Sequence, residues 1–150
     1  MSFINETVKF TRLKEGAVVP KYASVSAAGA DLYACMGKDT SISPGETAKI
    51  STGIAVAIPD GYAGLVYARS GLATKKGLAP ANKVGVIDSD YRGEIMVMLH
   101  NHSSESALVE DGDRVAQLVI TPVVQAIFEE VETLDNTERG VGGFGSTGLK

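Results

Sequence analysis

The sequence predicts an all-β protein, a sandwich or a barrel. Its apolar runs are short and mostly β-branched or alternating, and almost none has the 3.6-residue period of a helix. Clusters of turn formers punctuate them: Ser43-Pro44-Gly45-Glu46, Pro59-Asp60-Gly61 and Glu110-Asp111-Gly112-Asp113. No internal repeat or linker divides the 150 residues, which suit one domain large enough to bury a core.

In chain order, Val8 to Leu13 alternates as a first strand, and Ser24 to Gly29 form a loop after Pro20. Ala30 to Cys35 is a short strand carrying Asp31. Thr47 to Ile50 and Gly53 to Ile58 read as two further strands, and Ala63 to Ala68 as another. Leu72 to Lys75 is long enough for one helical turn, which Gly77 would end. Val84 to Ile87 is β-branched and suits a buried strand. Glu94 to Asn101 alternates, with Ile95, Val97 and Leu99 on one face and Met96, Met98 and His100 on the other. The two together predict a β-hairpin whose tip is Asp88-Ser89-Asp90-Tyr91-Arg92-Gly93. Arg114 to Val124 is a strand with an edge or bulge near Pro122, and Ala126 to Val131 closes the folded part. Val115 to Val124 is apolar on both faces, which predicts a second covered face and hence an oligomer.

Composition narrows the function. A net charge of −4 with no basic block argues against a nucleic-acid surface, though not against a small phosphate ligand. The single cysteine, Cys35, cannot form an intrachain disulfide; it reads as a small buried apolar residue in a reducing compartment. No Cys/His spacing suits zinc. The polar N-terminus does not resemble a signal peptide, and Val115 to Phe128 is interrupted by Gln117, Pro122 and Gln125. A cytoplasmic protein is expected.

Several residues have both a structural and a chemical reading. Asp88 either closes an Asx-turn or, emerging from a rigid strand, acts as a base. Arg69-Ser70-Gly71, at a strand-to-helix junction, either supplies an N-cap serine or receives an anion. Gln117, within an apolar strand, must find a polar partner in backbone or ligand. Asp31 either closes a loop or serves a site. His100 and His102 read as a strand end. Asn136 to Lys150 is too rich in glycine to pack alone. It is either a tail of no consequence or a segment ordered by a ligand. Arg139, Ser146 and Thr147 could meet an anion and Phe144 could stack on a flat ring.

Five stretches then resemble, in order, the motifs of the homotrimeric dUTPase family (deoxyuridine triphosphate nucleotidohydrolases). They are AGADL at Ala28 to Leu32, ARSGLA at Ala68 to Ala73, NKVGVIDSDYRGE at Asn82 to Glu94, GDRVAQLVI at Gly112 to Ile120 and RGVGGFGSTG at Arg139 to Gly148. Ala30 and Ala68 depart from the residues frequent in that family, at positions without chemistry.

The resemblance implies a jelly-roll-like distorted β-barrel of the β-clip type with one short helix. It implies a catalytic domain over residues 1–135 and a flexible arm over 136–150 that acts as a lid. The implied reaction is hydrolysis of dUTP to dUMP and pyrophosphate, which removes dUTP from the nucleotide pool and supplies dUMP for thymidylate synthesis. Asp88 would be the general base. Asn82, Val86, Tyr91 and Phe144 would bind base and sugar, with Tyr91 against the deoxyribose. Arg69, Ser70, Gly71, Gln117, Arg139, Gly145, Ser146 and Thr147 would bind phosphate, Gln117 from another chain. Mg²⁺ would be the cofactor, with Asp31 holding it through water. Sites would lie at the interfaces of a homotrimer. A dCTP deaminase is the nearest alternative, disfavoured by the Asp88-Ser89-Asp90-Tyr91 tip and tested by ammonia release. A non-enzymatic regulatory module on the same scaffold is another, and a carbohydrate-binding sandwich fits least, there being no tryptophan.

Overall fold

The structure is a computed structural model that describes residues 6–143. It contains eleven strands and one helix: β1 (Lys9–Arg12), β2 (Lys21–Tyr22), β3 (Ala30–Tyr33), β4 (Thr40–Ile42), β5 (Thr47–Ala57), β6 (Tyr62–Tyr67), α1 (Ser70–Lys76), β7 (Leu78–Pro80), β8 (Gly85–Ile87), β9 (Glu94–Asn101), β10 (Ala107–Val109) and β11 (Arg114–Pro122). A four-stranded sheet runs β1-β5-β9-β7, a five-stranded sheet runs β2-β3-β11-β6-β8, and β4 pairs with β10. The arrangement is the predicted all-β, jelly-roll-like one, with distorted sheets.

The alternation in β9 does what its pattern requires. Ile95, Val97 and Leu99 are sealed in the core while Met96 and Met98 face outward. Ile50 and Ile54 of β5 join them from the same sheet, and Leu32, Val66, Val115 and Leu118 meet them from the other. Each such side chain contributes roughly 1.5–3 kcal/mol by leaving water. Cys35 belongs to this core. Asn101, fully buried at the end of β9, is satisfied: its amide donates to the carbonyls of Ile42 and Glu105, each at 2.8 Å. Its Oδ1 accepts from Ser103 N–H and Oγ.

Several elements differ from expectation. Thr47–Ala57 is one strand, not two; a register shift between Ser51 and Ala55, with Gly53 at φ +67°, makes a bulge where a break was expected. The chain enters β2, β4, β7 and β10, each too short to show a period. The expected β8–β9 hairpin does not form. β8 pairs with β6 in the five-stranded sheet and β9 with β5 and β7 in the four-stranded one, so Asp88 to Gly93 turn a corner between sheets. Nor is Val84 to Ile87 a buried strand: β8 is an edge, and only Ile87 is buried. Finally, Ala126 to Val131 does not close the folded part. Regular structure ends at Pro122, and residues 123–141 are all exposed, with Ile127 at 97% and Phe128 at 96%.

Candidate active site

The sheet corner makes the first of two pockets. Leaving β8 after the buried Ile87, the chain passes Asp88 and folds back at Tyr91, whose N–H donates to the Asp88 carbonyl at 3.2 Å. The Tyr91 ring lies across Gly93, where a Cβ would overlap it. Its hydroxyl donates to the Glu94 carbonyl at 3.0 Å. Arg92 turns away, its Nη1 donating to the carbonyls of Ser89 and Tyr91. Opposite, Lys83 takes a left-handed conformation with φ +64°, the one non-glycine residue with positive φ among those described. Its N–H donates to Pro80 and that of Val84 to Asn82, which folds the 80–84 turn tightly and brings Asn82 over Gly85. Asn82, Val86, Asp88, Tyr91 and Glu94 all line the resulting pocket. Asp88 is exposed in the single chain.

The second pocket lies at the start of α1. Arg69, extended at φ −95° and ψ 128°, is the residue before the helix and makes no side-chain cap. Ser70 is therefore the first helical residue rather than the N-cap. It and Gly71 line the pocket with Gly29, Asp31, Arg69 and Gln117. Asp31 is 6% exposed. Its Oδ1 accepts from Arg69 Nε at 2.7 Å, and its Oδ2 lies 3.4 Å from Arg114 Nη1. Gln117 donates from Nε2 to the Ala68 carbonyl at 2.8 Å and packs over Gly29, where a Cβ would sit 2.5 Å from Oε1. The polar partner is backbone, and Gln117 shares its pocket with Ser70 and Gly71 of its own chain.

The structure thus groups Asn82, Val86, Asp88 and Tyr91 in one pocket, and Asp31, Arg69, Ser70, Gly71 and Gln117 in another, with no lining residue in common. It does not bring Arg139 to either; that guanidinium donates to its own Gly142 carbonyl at 2.9 Å. Phe144, Gly145, Ser146 and Thr147 lie outside the described residues. His100 and His102 line neither pocket and stack edge to face at 4.5 Å. The sequence reading missed Arg114 and Glu94. Arg114 sits in a motif, but only the pairing of β11 with β3 brings it to Asp31. Glu94 closes the third motif and starts a strand, but only the pairing of β9 with β5 brings it to Ser51 and Gly53.

No group of three or more His, Cys, Asp or Glu side chains among the described residues is arranged to hold a metal ion. No described helix is long and apolar enough to cross a membrane.

Known proteins resemble this chain over nearly its full length. It is 49% identical over 150 residues to the deoxyuridine 5'-triphosphate nucleotidohydrolase of Desulfitobacterium hafniense (strain DSM 10664 / DCB-2), covering 99% of each. A mutant dUTPase of Staphylococcus bacteriophage 80alpha with dUpNHpp superposes with a TM-score of 0.88 at 29% identity, over 97% of this chain and all of that one. A mutant dUTPase of S. aureus phage phi11, in which a structural Mg(II) ion is coordinated, superposes with a TM-score of 0.77 at 28% identity, over 85% and 98%. The sequence pattern of the dUTPase family matches residues 15–148, a span that takes in both pockets and the stretch beyond them, and the chain belongs to that family.

Proposed function

We propose that the chain hydrolyses dUTP to dUMP and pyrophosphate, draining dUTP from the nucleotide pool and supplying dUMP for thymidylate synthesis. The observation that carries this reading is the division of labour between the two pockets. One offers a backbone edge, an amide, an aromatic ring and a free carboxylate. The other offers the Arg69 guanidinium, a hydroxyl and an amide side chain. A nucleoside suits the first and a polyphosphate the second.

In the first pocket, uracil pairs with the backbone near Val86 and with the Asn82 amide. A cytosine edge would leave buried polar groups mispaired at about 1–3 kcal/mol each. Tyr91 packs on the deoxyribose, where a 2′-hydroxyl would clash. Asp88 takes a proton from water, whose oxygen attacks the α-phosphorus as the bond to the pyrophosphate oxygen breaks. In the second pocket Ser70, Gly71 and Gln117 donate to phosphate. Arg69 supports them and holds Asp31.

Mg²⁺ is the proposed cofactor. The donor set fits an ion held mainly by substrate oxygens and water, because an ionised carboxylate offers about four lone-pair sites and the two guanidinia at Asp31 leave some of them free. When bound, the ion neutralises charge on the triphosphate.

A homotrimer with interfacial sites would bring the nucleoside pocket of one copy to the phosphate pocket of the next. Two features support this: the pockets share no residue within a chain, and the apolar side chains of Val124, Ile127, Phe128, Val131 and Leu134 are uncovered. Residues 1–135 then form the catalytic unit. Residues 136–150 form a lid that brings Phe144 to the base and Arg139, Gly145, Ser146 and Thr147 to the phosphates. A cytoplasmic location accords with a nucleotide substrate.

The test is Asp88→Asn. Turnover should fall roughly 10²–10⁴-fold with dUTP binding retained; wild-type turnover in this variant would refute the assignment.

A further inference from the structure

Under the sheet corner, Glu94 is held from both ends. It opens β9 and pairs with Ala55, just past the register shift in β5. Its Oε1 accepts a hydrogen bond from the Ser51 hydroxyl and another from Gly53 N–H at 2.7 Å. Lys14 Nζ lies 3.8 Å from the same oxygen and donates to Ser51 Oγ at 2.6 Å. Gly53 can reach this place only in its left-handed conformation, and a Cβ there would lie 2.8 Å from Ala17 Cβ. Its carbonyl accepts from Leu13 N–H at 2.8 Å, and that of Ser51 from Cys35 N–H at 2.7 Å. The bulge is therefore tied to β1, to the end of the β3 segment and to Glu94 together.

Burial pushes the Glu94 carboxyl upward, but the Ser51 and Gly53 hydrogen bonds and the charges of Lys14 and Lys49 outweigh it and hold the group below its ordinary range. Glu94 is thus an anion anchored to the β5 bulge through its carboxylate. Its backbone carries Tyr91, because the Glu94 carbonyl accepts the Tyr91 hydroxyl at 3.0 Å. The ring rests on Gly93 and has no other hydrogen-bond anchor among the described residues. Both Glu94 and Tyr91 line the nucleoside pocket.

We propose that Glu94 is a positioning residue for sugar selection: its clamp on the β5 bulge fixes the carbonyl that orients the Tyr91 ring. The proposal rests on reading Tyr91 as the residue that faces the sugar. A purely structural Glu94 would hold the seam between β5 and β9, and its loss would weaken every substrate alike. A positioning Glu94 changes the ratio between substrates that differ only at the 2′ carbon.

The experiment measures kcat and KM of the full-length protein for dUTP and UTP in wild type, Glu94→Gln, Glu94→Ala, Tyr91→Phe and the Glu94→Ala/Tyr91→Phe double variant. The preference for dUTP in kcat/KM should fall about 10-fold in Tyr91→Phe and Glu94→Ala, near the upper end for one neutral hydrogen bond. It should fall less in Glu94→Gln, which keeps an oxygen acceptor. The change should enter chiefly as a rise in kcat/KM for UTP, whose 2′-hydroxyl no longer meets a fixed ring. The double variant should be no worse than Tyr91→Phe alone, since both act through one contact. Should Glu94→Ala not fold, Ser51→Ala removes one of the donors and should lower the same ratio by a smaller factor. An unchanged ratio in variants that still hydrolyse dUTP, or additive losses in the double variant, overturns the role of Glu94 while leaving the reaction intact. A wild-type protein that does not hydrolyse dUTP overturns both readings.

Discussion

Arg69 Nε donates to Oδ1 of Asp31 at 2.7 Å, a contact between residues 38 positions apart that joins β3 to the start of α1. Arg114 approaches the other carboxylate oxygen from β11. Asp31→Asn keeps the shape and removes the charge, leaving two guanidinia side by side. Both arginines are partly in water, so the loss should be about 1–3 kcal/mol, less than for a fully buried pair. Urea unfolding should show a lower midpoint with an unchanged slope.

Gly29 lies beneath Gln117. A Cβ there would stand 3.1 Å from the Gln117 Cβ and Cδ as well as against Oε1, so rotation of the amide alone would not clear it. Gly29→Ala should therefore displace Gln117 and break its bond to the Ala68 carbonyl. We expect kcat/KM for dUTP to fall about 5-fold, consistent with losing roughly 1 kcal/mol of hydrogen bonding. Circular dichroism should remain that of the wild type.

Lys83 holds a left-handed conformation at the turn that presents Asn82. A β-branched residue is poorly tolerated there. Lys83→Val should cost about 1–3 kcal/mol of stability and raise KM for dUTP. Lys83→Gly should fold at least as stably as the wild type and keep its KM. Thermal melts with kinetics on both variants check this.

Glu94 also sets a pH dependence. Its carboxyl is held below the ordinary 4.5 in the folded chain, so its contribution to stability is complete above that value and is lost as pH falls through the lower folded value. The Tm difference between wild type and Glu94→Gln should be constant from neutral pH down to about 5 and should shrink below about 4.5, since only the wild type gains a proton at this site.

Much of this architecture is legible in the residues. The alternation from Ile95 to Leu99 marks β9, and Gly77 ends α1 in the left-handed conformation that only its lack of a side chain makes easy. The proposed site residues Asp88, Tyr91, Asp31 and Ser70 are visible as polar groups beside apolar strands. Pairing partners are not legible in this way. Val84 to Ile87 and Glu94 to Asn101 have the composition of a hairpin, and only the sheets around them decide that each bonds elsewhere. Gly53 reads as a break because a bulge and a turn use glycine for the same reason. Arg114 meets Asp31, and Ser51 meets Glu94, through contacts spanning 83 and 43 residues, which no local pattern encodes. Ile127 and Phe128 look like core because they are apolar; in the single chain they have no core to join.

The most direct measurement is pyrophosphate release in the presence of Mg²⁺, with dUTP, dTTP, dCTP and UTP assayed in parallel. Release from dUTP far exceeding that from the other three is the expected result, reporting both the hydrolysis and the selectivity of the pocket around Asn82 and Tyr91. Release from none of the four, with dUTP bound tightly, would contradict the enzymatic reading and leave a nucleotide-binding regulatory protein in its place.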